Sequence, residues 1–296
     1  MTDTEAVAWI DAHVERTGEV EEMRVRPWAT VLRAPTAAGP VWMKLAAQRT
    51  AFEVPLYRVL ARAAPERVLT PIAVDVERAW VLLPDGGLSL GERGAGLDAV
   101  VEALVSYGRL QRELEPAVEE MLALGVPDMR PPVMPDRFHE ALAAAGGNAE
   151  VAAMEPEVTA WCERLAASPL PPSLDHNDLH PWNMLDGPRY YDWGDSVIAH
   201  PFAAMLVPLG YLQYRFGDEP LGRARDAYLG VFADRGPHAE LVETLELACR
   251  VGKIARTLTW DRAIRTAREQ GEAIDPDWAT APAETLERLL RPGYLD

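Results

Sequence analysis

The segment from Asp175 to Ser196 constrains this chain more than any other stretch. It concentrates carboxylates, histidines and carboxamides in two short turns flanked by apolar residues, which is more polar chemistry than a structural loop carries. Asn183 follows Asp178 by five positions, and Asp192 comes after a Gly-Pro turn and two tyrosines. Mg²⁺ prefers hard oxygen ligands and is usually held by one or two side chains together with substrate phosphates. Asn183 and Asp192 can supply those oxygens, so the spacing predicts a magnesium-nucleotide site.

Asp178 is a carboxylate of this segment that the metal does not need. Such a group can accept the proton of an attacking hydroxyl, which is the task of the catalytic-loop aspartate in kinase chemistry. In those sites an asparagine and the aspartate of a later Asp-x-Gly sequence hold the metal ions. The segment therefore indicates phosphoryl transfer, with Asp178 as the catalytic residue and with Asn183 and Asp192 as metal ligands.

The pattern His176-x-Asp178-x-His180-x-x-Asn183, followed by Asp192-Trp-Gly, resembles the aminoglycoside phosphotransferase family, which includes choline and other metabolite kinases. The resemblance implies Mg²⁺-dependent transfer of the γ-phosphate of ATP or GTP to a hydroxyl of a small molecule, such as an aminoglycoside, an amino sugar or an amino alcohol. A histidine at position 180 points away from protein substrates, because protein kinases usually carry lysine there.

The fold that this resemblance implies is α+β and protein-kinase-like, with two lobes. The small, sheet-rich N-terminal lobe at residues 1–84 would bind the nucleotide, and the larger helical lobe at residues 85–296 would carry the catalytic loop and the acceptor pocket. Apolar periodicity predicts helices at residues 2–17, 49–63, 97–114, 136–145, 157–167, 202–216, 219–233, 238–268 and 278–290. Strands are predicted within residues 20–33, around residue 44, and at residues 68–75 and 79–83, and an extended connection is predicted at residues 125–135.

Lys44 is unusual because only two of the 29 basic residues are lysine. It lies in an apolar segment, where a lone charge is costly without a partner, and a compact ammonium suits a phosphate contact. Glu53, in the first turn of the helix predicted at residues 49–63, is the expected partner. That ion pair would orient Lys44 toward the α- and β-phosphates. The alternative for Glu53 is a solvated surface glutamate.

The break in pattern at Pro84-Asp-Gly-Gly marks the predicted boundary between the lobes. In the resemblance, this connection carries backbone groups that hydrogen-bond the adenine. The resemblance therefore implies nucleotide contacts from four consecutive residues: Leu83, Pro84, Asp85 and Gly86.

The sequence departs from the family pattern in two places. No Gly-x-Gly-x-x-Gly is present, so the Arg26-Pro-Trp28 turn would have to cover the phosphates. Related enzymes often place an aspartate, which braces the catalytic loop, where this chain has Ala204. These departures favour a competing interpretation, a nucleotide-binding regulatory pseudokinase, although every metal and base position is filled.

A third interpretation is a metallohydrolase in which His176, Asp178 and His180 bind a transition metal. Alternate residues share a face only in a strand, and Pro181 makes a long strand here doubtful. This interpretation also leaves Asn183 and Asp192 without a role. A lone histidine is more often a hydrogen-bonded structural residue than a catalyst, and the resemblance implies the same role for His176.

Several other polar or aromatic residues are open to two interpretations. Asp195 is either a group that supports the metal or acceptor site, or a turn cap. An aminated acceptor would also find aromatic and acidic partners in the C-terminal helices, although aromatic residues at helical spacing are more often core. These candidates are Tyr211, Tyr214, Trp260 and Asp261.

The formal net charge of −17 excludes nucleic acid and anionic membranes as expected partners. It would attract a cationic substrate, but solubility alone also explains it. The two cysteines, Cys162 and Cys249, argue against a disulfide scaffold and, with no signal-peptide pattern, predict a cytoplasmic protein. No run approaches the length of a membrane span, and the sequence carries no signal for an oligomeric state.

Overall fold

The computed structural model of the protein describes residues 4–296, so the predicted first helix residue, Thr2, lies outside the described residues. The N-terminal part is a five-stranded antiparallel sheet with the strand order β1-β2-β3-β5-β4 and two helices. Its elements are α1 (Thr4–Asp11), β1 (Glu21–Arg26), β2 (Ala29–Ala34), β3 (Val41–Ala46), α2 (Glu53–Ala63), β4 (Ala73–Asp75) and β5 (Trp80–Pro84).

The sheet separates two sets of side chains because alternate residues of a strand point to opposite faces. On one face, Leu32, Met43 and Leu82 are buried against Ile10 of α1. Lys44 follows Met43 and therefore points to the other face, toward α2 and the cleft between the two parts of the chain.

The C-terminal part is mostly helical and contains two small sheets. Its elements are α3 (Leu97–Leu114), α4 (Val118–Ala123), β6 (Asp128–Met129), α5 (Met134–Ala144), α6 (Ala149–Ala152), α7 (Glu155–Ala166), β7 (Ser173–Asp175), β8 (Met184–Leu185), β9 (Arg189–Tyr190), β10 (Val197–Ala199), α8 (Leu206–Phe216), α9 (Leu221–Leu229), α10 (His238–Glu269), α11 (Pro276–Ala279) and α12 (Ala281–Glu287). Strand β10 lies between β6 and β7. Because β7 ends at Asp175 and pairs there with Val197, this sheet fixes both ends of the polar segment.

Prolines account for three differences from the predicted elements. The helix predicted at residues 49–63 begins at Glu53, which places Pro55 in the first turn, where the missing N–H has no cost. Met134 and Pro135, predicted to be extended, begin α5 for the same reason. The helix predicted at residues 278–290 is divided, and Pro282 lies in the first turn of its second piece.

Among residues 4–296, no helix is long and apolar enough to cross a membrane.

Candidate active site

Lys44 joins the two parts of the chain through a pair of carboxylates. Its Nζ lies 2.6 Å from Glu53 Oε2 and 2.5 Å from Asp192 Oδ1. Glu53 is fully buried, and its Oε1 accepts a hydrogen bond of 3.0 Å from the Trp193 backbone N–H. The alternative, a solvated surface glutamate, is therefore wrong, and the predicted ion pair between Glu53 and Lys44 is present. The pair also extends to Asp192, which the sequence did not indicate.

Burial and ion pairing shift the pKa values of Lys44 and Asp192 in opposite directions. Burial disfavours the charged form of Lys44, but the nearby carboxylates of Asp192 and Glu53 raise its pKa above the ordinary value. Burial likewise opposes the charge on Asp192, yet Lys44 holds the pKa of that carboxyl below its ordinary value. Lys44 and Asp192 are therefore both charged at neutral pH.

Asp192 adopts a left-handed backbone conformation with φ 64° and ψ 60°. Aspartate tolerates this conformation better than most residues, which suits the tight turn after β9. The backbone N–H of Asp192 donates to the Tyr57 hydroxyl at 3.3 Å, and Arg24 Nη2 lies 3.4 Å from Asp192 Oδ2. The turn thus directs the carboxylate into the cleft between Lys44 and Arg24.

Asp178 lies across the cleft and contacts three side chains. Its Oδ1 accepts a hydrogen bond of 2.9 Å from Arg256 Nη2, and its Oδ2 lies 3.3 Å from His180 Nε2 and from Asn183 Nδ2. Although burial opposes the charge, Arg256 and His180 hold the pKa of Asp178 well below its ordinary value. Asp178 is therefore an ionised acceptor at neutral pH.

Asn183 and Asp192 have the donor chemistry that a magnesium ion requires. The Asn183 amide nitrogen donates to the Asp178 carbonyl at 2.9 Å, which leaves the amide oxygen as a ligand. No group of three or more His, Cys, Asp or Glu side chains within residues 4–296 could hold a metal by itself. Mg²⁺ takes few protein ligands and completes its shell with water and phosphate. Asn183 and Asp192 would hold the ion.

His176 occupies the structural position predicted for it. Its Nε2 lies 2.9 Å from the Tyr191 carbonyl oxygen, and its ring packs against Trp193 with the centroids 4.8 Å apart. Burial lowers the pKa of His176, so the ring is neutral and a donor to that carbonyl. His176 thereby links the catalytic loop to the turn that carries Asp192, and it does not share a metal site with Asp178 and His180.

The buried carboxyl of Asp175, at the start of the loop, should make the stability of the protein depend on pH. Burial raises its pKa from 3.8 to about 7, while its Oδ1 accepts the Asn177 N–H at 2.7 Å. The folded state therefore binds this proton more tightly than the unfolded chain does. The corresponding stability is fully present below about pH 4 and is lost as pH rises through about 7.

Asp175→Asn keeps an acceptor oxygen but removes this titration. We expect the free energy of unfolding of wild type to fall relative to that of the variant between about pH 4 and 7, as measured by urea unfolding. Asp98→Asn, at an exposed ion pair with Arg223, is the control and should leave the slope unchanged. A parallel pH profile for wild type and Asp175→Asn would contradict the prediction.

The connection between the two parts of the chain lines the same cleft as Lys44 and Asp178. Asp85 Oδ1 accepts a hydrogen bond of 2.9 Å from Trp42 Nε1, and the Gly86 carbonyl accepts one of 3.2 Å from Arg189. These contacts hold the connection against β3 on one side and β9 on the other. The predicted contact residues Leu83, Pro84, Asp85 and Gly86 all lie along the cleft.

The turn between β1 and β2, at Pro27 and Trp28, stands over this cleft. The Trp28 ring packs against Trp278 with the centroids 5.0 Å apart, and Gln270 Nε2 donates to the Pro27 carbonyl at 2.8 Å. The turn predicted to replace a glycine-rich loop is thus held by the C-terminal part of the chain.

The other candidates divide between the cleft and the surface. Trp260 lines the cleft, but Asp261 forms an ion pair of 2.6 Å with Arg265 instead of facing it. Tyr214 is exposed, and the Tyr211 ring meets the edge of the Trp182 ring. Asp195 lies in the cleft, where Arg256 and Arg262 approach its carboxylate at 3.3 and 3.6 Å.

The three arginines that line the cleft escaped the sequence analysis: Arg24, Arg256 and Arg262. Arginine makes up nearly all of the basic residues, so an individual arginine carries little signal. Arg256 lies among other charged residues of α10, including Arg250, Lys253 and Arg262, so its position in the sequence gave no distinguishing signal.

The sequence profile of the phosphotransferase enzyme family (APH) matches residues 29–241. No curated protein matches the sequence significantly.

Three similar solved structures cover nearly the whole chain. A choline/ethanolamine kinase family protein from Mesorhizobium loti is 17% identical, with a TM-score of 0.67, and covers 100% of this chain and 97% of its own. The amicoumacin kinase hAmiN in complex with AMP-PNP and Ca²⁺ is 11% identical, with a TM-score of 0.62, and the match covers 99% of this chain and 95% of the kinase. An aminoglycoside 2'-phosphotransferase-IIIa variant, solved as its GDP complex, is 18% identical, with a TM-score of 0.62, and the match covers 97% of this chain and 96% of that enzyme. These similarities confirm the predicted α+β, protein-kinase-like fold, and identities this low establish the fold alone.

Proposed function

Because the chain belongs to the phosphotransferase enzyme family, we propose that it transfers the γ-phosphate of ATP or GTP to a hydroxyl group of a small molecule. The family match confirms the predicted enzyme class, a small-molecule kinase. The observation that carries the proposal is that Asp178, Asn183, Asp192 and Lys44 line one cleft together with the connection between the lobes. We place the boundary of the nucleotide-binding lobe after residue 84.

Asp178 receives the acceptor. The acceptor hydroxyl donates a hydrogen bond to its carboxylate, and the hydroxyl oxygen forms a bond to the γ-phosphorus. The bond between that phosphorus and the β,γ-bridging oxygen breaks, and the nucleoside diphosphate leaves. The hydroxyl proton passes to Asp178 and then to solvent. Because the transition state is loose, positioning and charge neutralisation contribute more than basicity, which agrees with a carboxylate that Arg256 keeps ionised.

Lys44 and the metal ligands act on the phosphates. Glu53 holds the Lys44 ammonium at the edge of the cleft, where it would contact the α- and β-phosphates. Asn183 and Asp192 are the residues that would hold Mg²⁺. The bound ion supplies charge neutralisation at the phosphate oxygens. Leu83 to Gly86 bind the adenine or guanine through their backbone.

The acceptor is proposed to be a hydroxylated small molecule of the amino alcohol, amino sugar or aminoglycoside type. Trp182 lines the cleft and its side chain is half-exposed, so it offers an aromatic surface, whereas Trp260 already packs against the Arg256 guanidinium at 5.1 Å and Asp195 already pairs with Arg256 and Arg262. A cation packs favourably on tryptophan faces and near carboxylates. The net charge of −17 would favour the approach of a cation and disfavour nucleic acid and anionic membranes. The two buried free cysteines fit the proposed cytoplasmic location.

Thermal-shift titration with ATP and with GTP, each with and without Mg²⁺, tests the nucleotide site. We expect stabilisation of wild type by at least one nucleotide that requires Mg²⁺ and is lost in Asp192→Ala. Asp186→Ala removes an exposed aspartate of the same segment and should retain the stabilisation. No stabilisation of wild type by either nucleotide would contradict the proposal.

Turnover distinguishes the enzyme from its principal alternative. A panel of aminoglycosides, amino sugars and amino alcohols should yield at least one phosphorylated product. Mg²⁺-dependent binding with no transfer to any acceptor, or to water, would instead favour the nucleotide-binding regulatory pseudokinase. Bound zinc without nucleotide binding would favour the metallohydrolase.

A further inference from the structure

Arg256 connects helix α10 to the two segments that carry the reaction. Its Nη1 donates to the Asn177 carbonyl at 2.7 Å and to Asp195 Oδ2 at 3.3 Å, and its Nη2 donates to Asp178 Oδ1 at 2.9 Å. The side chain is 17% exposed. One planar guanidinium thus fixes the backbone before Asp178, the carboxylate of Asp178 and the turn after Asp192.

A second residue of the same helix face holds the same point of the loop. The Thr259 hydroxyl, three positions after Arg256, accepts a hydrogen bond of 2.7 Å from Asn177 Nδ2. Asn177 has φ 58°, a left-handed conformation that non-glycine residues rarely adopt and that needs support from its surroundings. Helix α10 therefore forms hydrogen bonds with both the backbone carbonyl and the side chain of Asn177, the residue directly before Asp178.

The residue at position 204 explains why the contact between Arg256 and Asp178 matters for the catalytic loop. The aspartate that would brace the catalytic loop is replaced by Ala204, which is buried and has no polar group to offer. The loop is nevertheless held at both ends, because the Tyr107 hydroxyl accepts the His176 N–H at 2.8 Å and Asn183 donates to the Asp178 carbonyl. The contact that fixes the Asp178 carboxylate from outside the loop comes from Arg256.

We propose that Arg256 is the positioning residue that replaces the missing brace and presents the Asp178 carboxylate to the acceptor hydroxyl. The inference rests on the proposed function, since it concerns how the catalytic loop serves phosphoryl transfer. With Oδ1 held by Arg256 and Oδ2 lying 3.3 Å from His180 Nε2 and Asn183 Nδ2, the Asp178 carboxylate keeps one orientation at the wall of the cleft. A loop misplaced by about 1 Å can lower a rate by about 10²-fold.

Hydrogen exchange measured by mass spectrometry tests the brace without any need for activity. In Arg256→Gln we expect the backbone amides of residues 175–183 to exchange about tenfold or more faster than in wild type, because their local opening is no longer opposed. Arg265→Gln is the matched control, since this arginine lies on the same helix but pairs with Asp261 away from the loop. Equal exchange in Arg256→Gln and wild type overturns the inference, whatever the activity.

Kinetics of MgATP hydrolysis, with water as the acceptor, test the positioning role. We expect kcat of Arg256→Gln to fall by about 10- to 100-fold with little change in KM for ATP. Arg256→Lys keeps the positive charge but loses the planar guanidinium with its several donors, so its kcat should lie between those of wild type and Arg256→Gln. Guanidinium ion, added to Arg256→Ala well below denaturing concentrations, should restore part of kcat and should not restore Asp178→Asn.

The outcomes separate the two proposals. Wild type that neither binds MgATP nor turns it over contradicts the proposed function, and the exchange experiment still decides whether Arg256 braces the loop. Wild type that turns over while Arg256→Gln has an unchanged kcat overturns the positioning role alone. Loss of kcat that neither Arg256→Lys nor guanidinium relieves also overturns it, because general damage to the fold would behave in that way.

Discussion

Replacing Asp178 by Asn should lower turnover by on the order of 10² to 10⁴-fold while Mg²⁺-dependent stabilisation by the nucleotide stays nearly intact. The amide is nearly isosteric but cannot accept the acceptor proton. Lys44 and Asp192 make no ion pair with Asp178 in the described chain. Asn183, the other proposed metal ligand, keeps its hydrogen bond of 2.9 Å to the Asp178 backbone carbonyl, which the substitution does not alter. The expected signature is therefore a loss of kcat without a comparable rise in KM for the nucleotide.

The measurement is steady-state transfer to the best acceptor of the panel, with MgATP hydrolysis as a second readout. Asp186→Asn is the matched control, because it makes the same chemical change at an exposed position of the same segment. Turnover in Asp178→Asn equal to that of wild type would remove Asp178 from the mechanism and would require a different group to receive the hydroxyl.

Replacing Lys44 by Met should destabilise the protein by at most about 3–5 kcal/mol, because it removes the cation from a buried carboxyl. Burial already raises the pKa of Glu53, so in the variant this group must either stay charged without a partner or take up a proton. Glu53 is fully buried and loses the only cation within ion-pair distance in the described chain, whereas Asp192 keeps Arg24. Met is chosen because it preserves much of the lysine stem. Nucleotide stabilisation should also disappear, since the ammonium that contacts the phosphates is gone.

Glu53→Gln in the Lys44→Met background separates these two effects. The double variant no longer buries an unpaired carboxylate, so urea unfolding should show recovery of a large part of the lost free energy without any recovery of nucleotide binding. Arg33→Met breaks an exposed ion pair with Glu21 on the neighbouring strand and should cost at most about 1 kcal/mol. A Lys44→Met variant as stable as this control would show that the buried pair contributes nothing to folding.

The residues that the sequence predicted share one property, which is that their signal is local. Asp178, Asn183 and Asp192 lie within fifteen positions of one another, and their residue types suffice to suggest oxygen ligands and a proton acceptor. Lys44 was visible because lysine is rare in this chain and its neighbours are apolar. Glu53 could be paired with it because a helix was expected to follow directly. Their assigned roles remain proposals, whereas the fold and the family are confirmed.

Arg256 was missed because its contacts are not local. It is 78 positions from Asp178 and 61 from Asp195, and no spacing rule connects a residue in a late helix with a loop that precedes it. The effect of Ala204 on the catalytic loop likewise depends on a distant contact, the one that we propose for Arg256. The sequence shows that the bracing aspartate is absent at position 204. A contact from a distant helix that takes its place can be found only in the folded structure.

The length of α10 has a consequence for how substrates enter. At 32 residues the helix is about 48 Å long, and one face carries Arg256 while the residue after its end, Gln270, holds the Pro27 carbonyl. The catalytic loop and the turn above the cleft are therefore attached to one stiff rod. Movement of the small lobe that widens the cleft would therefore have to break the hydrogen bond from Gln270 to the Pro27 carbonyl and separate the packed rings of Trp28 and Trp278.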